Sequence, residues 1–521
     1  MLFRSTAGEQ YTPDDIIALI AEIIADKIPL DTSRFLTIYD PTCGGGNLLF
    51  GVEDHIKTRT SRPTKTYGED WSDSLYALAK IESRFRTDSD IQYGNTLTEL
   101  HFSDKRFDVV IANPPYGVDW KGYKNEIDKD ETGRFHALPS ISDGQFLFTQ
   151  HIVSQLNETG LAVVVHNGST LFSGDAGSGE SNVRKWMLDN DWVEAIIQLP
   201  TDEFFNTGIY TYLWVFNKQK PADHADRIIL INASDRYRLL KKSKGKKRKE
   251  MDAPNRVTIR RTLTDFMDTD TARVFPKWHF YYNRQAIMLT NVDDEGRSFE
   301  EQLPIKTDLT GYQTRAKSQK LAPVSIRQTD PENPTAETIS IDSFKITTFD
   351  KGQYPSLLAY YTDVLAPLVA KLDYKEQDLR ITTPTAIYWY DTNRETLIVQ
   401  HPDGQQTALG CGHIVVKSTY KKATKTAPAR IDITAELTPD YQKDYELVDY
   451  NPDPARNQQQ IDAFMARYVS RPFRYLENTV GVEINFNKVF YKSETLRPVA
   501  DILADLATLD AELAGLETDL F

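Results

Sequence analysis

The apolar run Phe107-Asp108-Val109-Val110-Ile111-Ala112 stops at Asn113-Pro114-Pro115-Tyr116, and this junction constrains the fold more than any other stretch of the chain. A short run rich in β-branched residues reads as a strand buried on both faces, as in a parallel sheet. The two prolines cannot continue a hydrogen-bonded ladder, so the strand ends in a stiff turn at its carboxyl end. Open α/β sheets collect their ligands along that edge.

The residue types at this corner suggest a chemistry. The Asn113 side-chain oxygen and the Pro114 carbonyl can each accept an N–H, Pro115 stiffens the turn, and Tyr116 offers an aromatic face. An amino group conjugated to a ring is a weak nucleophile. Two acceptors that draw its hydrogens out of the plane aim its lone pair at an electrophilic methyl group. An adenine inside a duplex is out of reach of such a corner and must be flipped out, and stacking on Tyr116 offsets part of the unstacking cost. The competing reading is a plain Pro-Pro turn closing a core strand.

A second strand, Phe35 to Asp40, runs into Pro41-Thr42-Cys43-Gly44-Gly45-Gly46 before a helical stretch from Asn47. Glycines let the backbone approach a ligand, and Asp40 at the strand end can face the cationic methionine end of S-adenosylmethionine. The next strand, Lys65 to Gly68, ends in Glu69-Asp70, where a carboxylate can take both ribose hydroxyls. Gly-rich turns of this kind occur in many nucleotide folds, but three strand ends in order point at one edge.

On these residues the chain resembles the γ-class amino methyltransferases of DNA, specifically the modification subunits of type I restriction-modification systems. Gly8 to Pro13 looks like the family's Gly-Glu-Phe-Tyr-Thr-Pro element, Asp40 to Gly46 like its Asp-Pro-x-Cys-Gly-Ser-Gly loop, and Gly68-Glu69-Asp70 like its Gly-Gln-Glu. The resemblance implies that Tyr11, Thr12 and Pro13 contact the donor's methionine portion, with Asp40, Pro41, Thr42, Gly44 and Gly46 around it. It assigns the ribose to Asp70 rather than Glu69. In Tyr93 to Leu97, Asn95 replaces the family's acid and would accept the donor's adenine amino group through its carbonyl oxygen. Asn113 adjoins both donor and target. Asp202 to Ile209 resembles the Phe-x-Asn-Thr-Gly element, which makes Phe205 the cover for the second face of the flipped base; an ordinary core aromatic is the alternative.

The implied fold is α/β: a doubly wound, Rossmann-like S-adenosylmethionine-dependent methyltransferase sheet with a β-rich insertion and a C-terminal helical, coiled-coil tail. The implied activity is adenine-N6 methylation of double-stranded DNA by direct in-line displacement. Two other readings stay open, a catalytically silent assembly subunit and a methyltransferase of protein glutamine, whose amide a similar corner can hold.

Length and charge bear on the rest. A chain of 521 residues implies two to three domains. With two cysteines, Cys43 and Cys411, and no His/Cys cluster at ligand spacing, neither a disulfide framework nor a metal site is expected, and a reducing cytoplasm fits. There is no apolar stretch of membrane-spanning length and no signal peptide pattern. The net charge of −14 is at odds with a DNA partner only if the cations are dispersed, and nine of them lie between Arg236 and Lys249. Lys241, Lys242, Lys244, Lys246, Lys247, Arg248 and Lys249 are therefore candidates for phosphate contact, against the alternative of a solvated loop.

Residues 1–235 read as the catalytic domain, 236–338 as a basic loop and helical region, 339–446 as a β-rich insertion, and 447–521 as a C-terminal helical segment. Tyr388-Trp389-Tyr390 in the insertion reads either as a stacking platform or as core. Val499, Ile502, Leu506, Leu509, Leu513, Leu516 and Leu520 follow a 3-4 spacing, the seam of a coiled coil. Val480 to Tyr491 looks like the Gly-Tyr-Glu-Ile-x-Phe element that ends type I modification subunits. The resemblance then implies docking of the C-terminal helices on a specificity subunit that reads the target, with a restriction subunit as a further partner. Family members usually carry a helical domain ahead of the Tyr-Thr-Pro element, so the expectation is either a truncated or separately encoded form or an N-terminal role supplied elsewhere.

Overall fold

The computed structural model describes residues 11–29, 33–289, 319–321, 324–330, 333–342, 345–372, 379–394, 396–408, 412–439, 443–470, 473–491 and 499–520. Gly8 to Gln10, Cys411 and the side chains of Leu516 and Leu520 lie outside the described residues. The chain divides into two compact units, Met1–Phe280 with Glu483–Phe521, and Tyr281–Val482.

The first unit is built on β1 (Leu36–Asp40), β2 (Thr64–Asp70), β3 (Ser89–Tyr93), β4 (Phe107–Ala112), β5 (Leu156–Asn167), β6 (Val193–Gln198), β7 (Thr211–Asn217) and β8 (Arg227–Asn232). A separate hairpin of β9 (Arg238–Lys244) and β10 (Lys247–Glu250) precedes β11 (Ala272–Pro276). The nine-stranded sheet has the order β11-β8-β6-β7-β5-β4-β1-β2-β3. Strands β1 to β5 are mutually parallel, while β7 runs antiparallel between β5 and β6.

Val109, Val110, Ile111 and Ala112 of β4 are all fully buried, as a strand covered on both faces requires. On one face lie α1 (Asp14–Lys27), α2 (Asn47–Thr60) and α3 (Asp73–Ser83), sharing a core that includes Ile16, Ile20, Leu49, Ile38 and Ala79. On the other, the helix Gln145–Gln155 packs on β1 through an edge contact of His151 with Tyr39. The chain steps outward from β1 to β2 and β3, then returns to place β4 on the opposite side of β1. The crevice above β1 and β4 is the switch point at which doubly wound sheets bind ligands.

The second unit has a three-stranded sheet, in which Tyr281–Met288 pairs with both Lys443–Asp449 and Arg474–Val482. A six-stranded and a four-stranded sheet share a further core of Ile326, Ile381, Leu397, Ile431, Ile433 and Leu437. Among the described residues the strands of these two sheets begin at Gln319 rather than Ile339, and Arg474–Val482 is a strand inside the segment expected to be helical. Its partner in the ladder is almost two hundred residues away, so nothing local announces it. Tyr388 and Tyr390 pack against the core, and Trp389 takes the opposite face with the Arg380 guanidinium 4.7 Å from its ring centre. The tyrosines are therefore core, not a platform.

After that unit the chain returns to the first. Glu483 N–H donates to the Phe280 carbonyl and Ile484 N–H to the Leu171 carbonyl, both at 2.9 Å, and Phe486 packs edge-on against Tyr212. The helix Val499–Leu520 follows, with Val499, Ile502, Leu506, Leu509 and Leu513 exposed. No helix among the described residues is long and apolar enough to cross a membrane.

Candidate active site

The carboxyl ends of β1, β2 and β4 and the turn after β3 surround a cavity of about 460 Å³, within the size range of small-molecule sites. Its walls include Tyr11, Thr12, Asp40, Asp70, Asn95 and Asn113. Pro41 to Gly45 of the loop after β1 also line it. Gly44 and Gly46 have φ of +54° and +89°, and a Cβ on Gly46 would lie 2.4 Å from the Phe50 ring. Only glycine lets the strand turn this sharply into α2.

Two carboxylates hold the loop. Asp40 accepts from Thr42 N–H at 2.9 Å through Oδ1, whereas its Oδ2 is buried without a hydrogen-bond partner among the described residues. Asp70 accepts from Gly44 N–H through Oδ2 and from Ser72 N–H through Oδ1, each at 2.9 Å. Burial pushes the Asp40 carboxyl up to about 7; the Thr42 N–H opposes this and the neighbouring Asp70 charge adds to it. A buried acceptor with an open lone pair beside a second carboxylate fits a cationic ligand, which would restore the ionised form.

Glu69 turns the other way. Its carboxylate is fully buried and accepts from the Tyr39 hydroxyl at 2.8 Å and from Thr96, while His151 Nε2 lies 2.9 Å from the same hydroxyl. Arg134 closes this network, donating to the Thr96 and Leu97 carbonyls at 2.7 and 2.8 Å. It lies below the Asn95 turn, where Asn95 Oδ1 accepts from Leu97 N–H at 3.1 Å. Burial raises the Glu69 carboxyl and lowers the His151 imidazole well below its usual range.

On the opposite wall, Asn113 is clamped from both sides. Its Nδ2 donates to Thr12 Oγ1 at 3.1 Å, and its Oδ1 accepts from the Tyr116 hydroxyl at 3.0 Å. Thr12 is itself tied down by Asn47, whose Nδ2 donates to the Thr12 carbonyl at 3.1 Å. The Tyr-Thr-Pro segment, the start of α2 and the Asn-Pro-Pro-Tyr corner are thus one hydrogen-bonded assembly. The amide's orientation is fixed by it.

A family model described as "N-6 DNA Methylase" matches residues 3–291. The chain belongs to the N-6 DNA methylase family. Among curated relatives, the type I restriction enzyme MpnII methylase subunit of Mycoplasma pneumoniae is 29% identical over 250 residues, 44% of each chain. The type I restriction enzyme MjaIX methylase subunit of Methanocaldococcus jannaschii is 26% identical over 241 residues, 44% of this chain and 41% of that one. The match thus spans less than half the length of either relative. A solved type I restriction-modification methyltransferase subunit from Streptococcus thermophilus is 25% identical, with a TM-score of 0.47 over 53% of this chain and 57% of that one.

Most of the sequence-predicted site residues meet at the cavity. Phe205 is not among its lining residues; it is half-buried, while its neighbour Phe204 is the one in the core. The basic run is a hairpin rather than a loop, and it divides the predicted phosphate contacts. Lys247 is buried, its Nζ 3.0 Å from Asp15 Oδ2 and 2.6 Å from Glu203 Oε2. It belongs to the protein's own ion-pair network and is removed from the DNA candidates. Lys249 donates to Thr201 Oγ1 at 3.0 Å and lies over the Tyr237 ring. Lys241, Lys242, Lys244, Lys246 and Arg248 remain exposed.

Sequence reasoning missed Trp71, Trp120, Tyr123 and Phe148, which line the cavity. Trp71 directly follows Asp70, and that adjacency was a usable signal. Trp120 sits in the long connection after Tyr116 and is placed by a 2.9 Å bond from its Nε1 to the Ser140 carbonyl, a contact no local pattern announces.

Proposed function

We propose that this protein transfers a methyl group from S-adenosylmethionine to adenine N6 in double-stranded DNA, as the modification subunit of a type I restriction-modification system. The observation that carries the reading is the Thr12–Asn113–Tyr116 clamp, which holds an amide oxygen on the wall of a cavity also lined by Asp40 and Asp70. When bound, S-adenosylmethionine supplies an electrophilic methyl on a sulfonium. Asp40 would hold the donor's cationic end, Asp70 its ribose, and Asn95 its adenine amino group, with Tyr11, Thr12 and Pro13 closing over it.

Asn113 Oδ1 and the Pro114 carbonyl would accept the two N–H groups of the flipped adenine and turn its lone pair towards the donor. Tyr116 and Phe205 would flank the base. The surplus proton leaves to water, and no covalent enzyme intermediate is needed. The exposed cations of the β9–β10 hairpin would meet phosphates, which position a protein without reading sequence. The exposed seam from Val499 to Leu513 supports docking on a specificity subunit that reads the target.

The test is to express the chain with its neighbouring genes in a methylation-free host and map N6-methyladenine by direct sequencing, with Asn113→Ala alongside. A motif methylated by the parent alone is the expected result. An unmarked genome with the complex assembled overturns the reading.

A further inference from the structure

The second unit carries a long hairpin whose tip has a single sign of charge. Gly412–Lys421 and Arg430–Pro439 pair in an unbroken antiparallel ladder from Gly412 with Pro439 to Lys421 with Arg430. The inward residues Ile414, Ile431, Ile433, Ala435 and Leu437 are buried in the unit's core, and Tyr361 braces the outer half by donating to the Ser418 carbonyl at 3.1 Å. The tip is ordered by its own turn: Thr424 N–H donates to the Ala427 carbonyl at 2.9 Å, and Ala427 N–H donates to Thr424 Oγ1 at 3.1 Å.

Between Ile414 and Ile431 there are five cations, Lys417, Lys421, Lys422, Lys425 and Arg430, and no carboxylate. Lys417 pairs with Glu436 and Arg430 with Asp432 further down the ladder. Lys421, Lys422 and Lys425 are exposed and make no ion pair among the described residues. In a chain of net charge −14, with acids available to scatter among them, three unpaired cations on one rigid tip repel each other with no internal compensation. An external polyanion would supply it.

We infer that this tip is a phosphate-binding element for duplex DNA, which gives the β-rich unit a role in substrate binding; the inference rests on DNA being the substrate. A membrane surface fits poorly, because from Lys421 to Arg430 the tip has only Ala, Thr and Pro between its charges and no bulky apolar residue to insert. It also has no Asn, Gln or unpaired Arg to read base edges, so its contribution is independent of sequence.

The experiment measures binding of a labelled mixed-sequence duplex to the full chain, co-expressed with its neighbouring genes, across a salt series. The parent is compared with Lys421→Ala/Lys422→Ala/Lys425→Ala and with Lys241→Ala/Lys242→Ala/Lys244→Ala. The tip variant should lose affinity about tenfold or more at low salt, and its log–log salt slope should flatten by about 0.9 for each phosphate contact removed. Replacing the three lysines with arginine should restore both. Parent-like affinity and slope in the tip variant, with losses in the β9–β10 variant, would overturn the inference and leave the DNA reading standing. No salt-dependent binding by the parent would overturn both.

Discussion

The Tyr116 hydroxyl donates to Asn113 Oδ1 across 3.0 Å, so the aromatic residue of the corner fixes the orientation of the amide three residues before it. Tyr116→Phe keeps the ring and removes only that donor. Its kcat should fall about five- to tenfold, the worth of one neutral hydrogen bond, with donor affinity unchanged. Asn113→Ala should lower kcat by about two to three orders of magnitude while the donor still binds. Single-turnover transfer rates and donor calorimetry on both variants check this, and parent-like turnover in Asn113→Ala would refute the clamp's role.

Asp40 gives donor binding a pH dependence. Its carboxyl titrates at about 7 in the free site because burial and then Asp70 disfavour its charge, and a cationic ligand requires the ionised form. Donor affinity should therefore be flat above about pH 8 and weaken on acidification through 7, approaching about tenfold per unit below it. Asp40→Asn should bind weakly with no such titration. Calorimetry across that range decides the matter, and an affinity that rises on acidification contradicts the assignment.

Lys247 is shared by two buried carboxylates, Asp15 at the start of α1 and Glu203 in the loop carrying Phe205. Removing the cation in Lys247→Met should destabilise the first unit by about 3–5 kcal/mol, the cost of stranding buried charge. The exposed Lys241→Met should stay within about 0.5 kcal/mol of the parent. Burial, with Asp15 adding to it, raises the Glu203 carboxyl above its usual range against the opposing pull of Lys247. A carboxyl raised in the folded state binds its proton there more tightly than in the unfolded chain. The loss in Lys247→Met should thus be largest at alkaline pH and shrink on acidification towards neutrality. Denaturant unfolding at several pH values measures it.

Phe205 is a test of the target side alone. If it covers the flipped base, Phe205→Ala should forfeit about 1–3 kcal/mol of stacking and slow transfer to duplex DNA accordingly, with donor affinity intact. Equal transfer rates for variant and parent would return Phe205 to an ordinary packing role.

What the sequence determined by itself is local and periodic: the strands ending in Asp40 and Asp70, the strand that stops just before Asn113, the glycine turn into α2, and the apolar seam from Val499. Each is legible because its signal lies within a few residues, where apolar runs, prolines and glycines act directly on the backbone. The tertiary structure decided the rest, because its contacts span the chain. Only the fold sets Thr12 against Asn113, turns Glu69 into a buried network while leaving Asp70 at the cavity, and brings Trp120 to the wall. It also separates lysines that look equivalent in a basic run. Lys247 is drawn inward because Asp15 and Glu203, far apart in sequence, leave two carboxylates that need one cation, whereas its neighbours Lys246 and Arg248 stay in water.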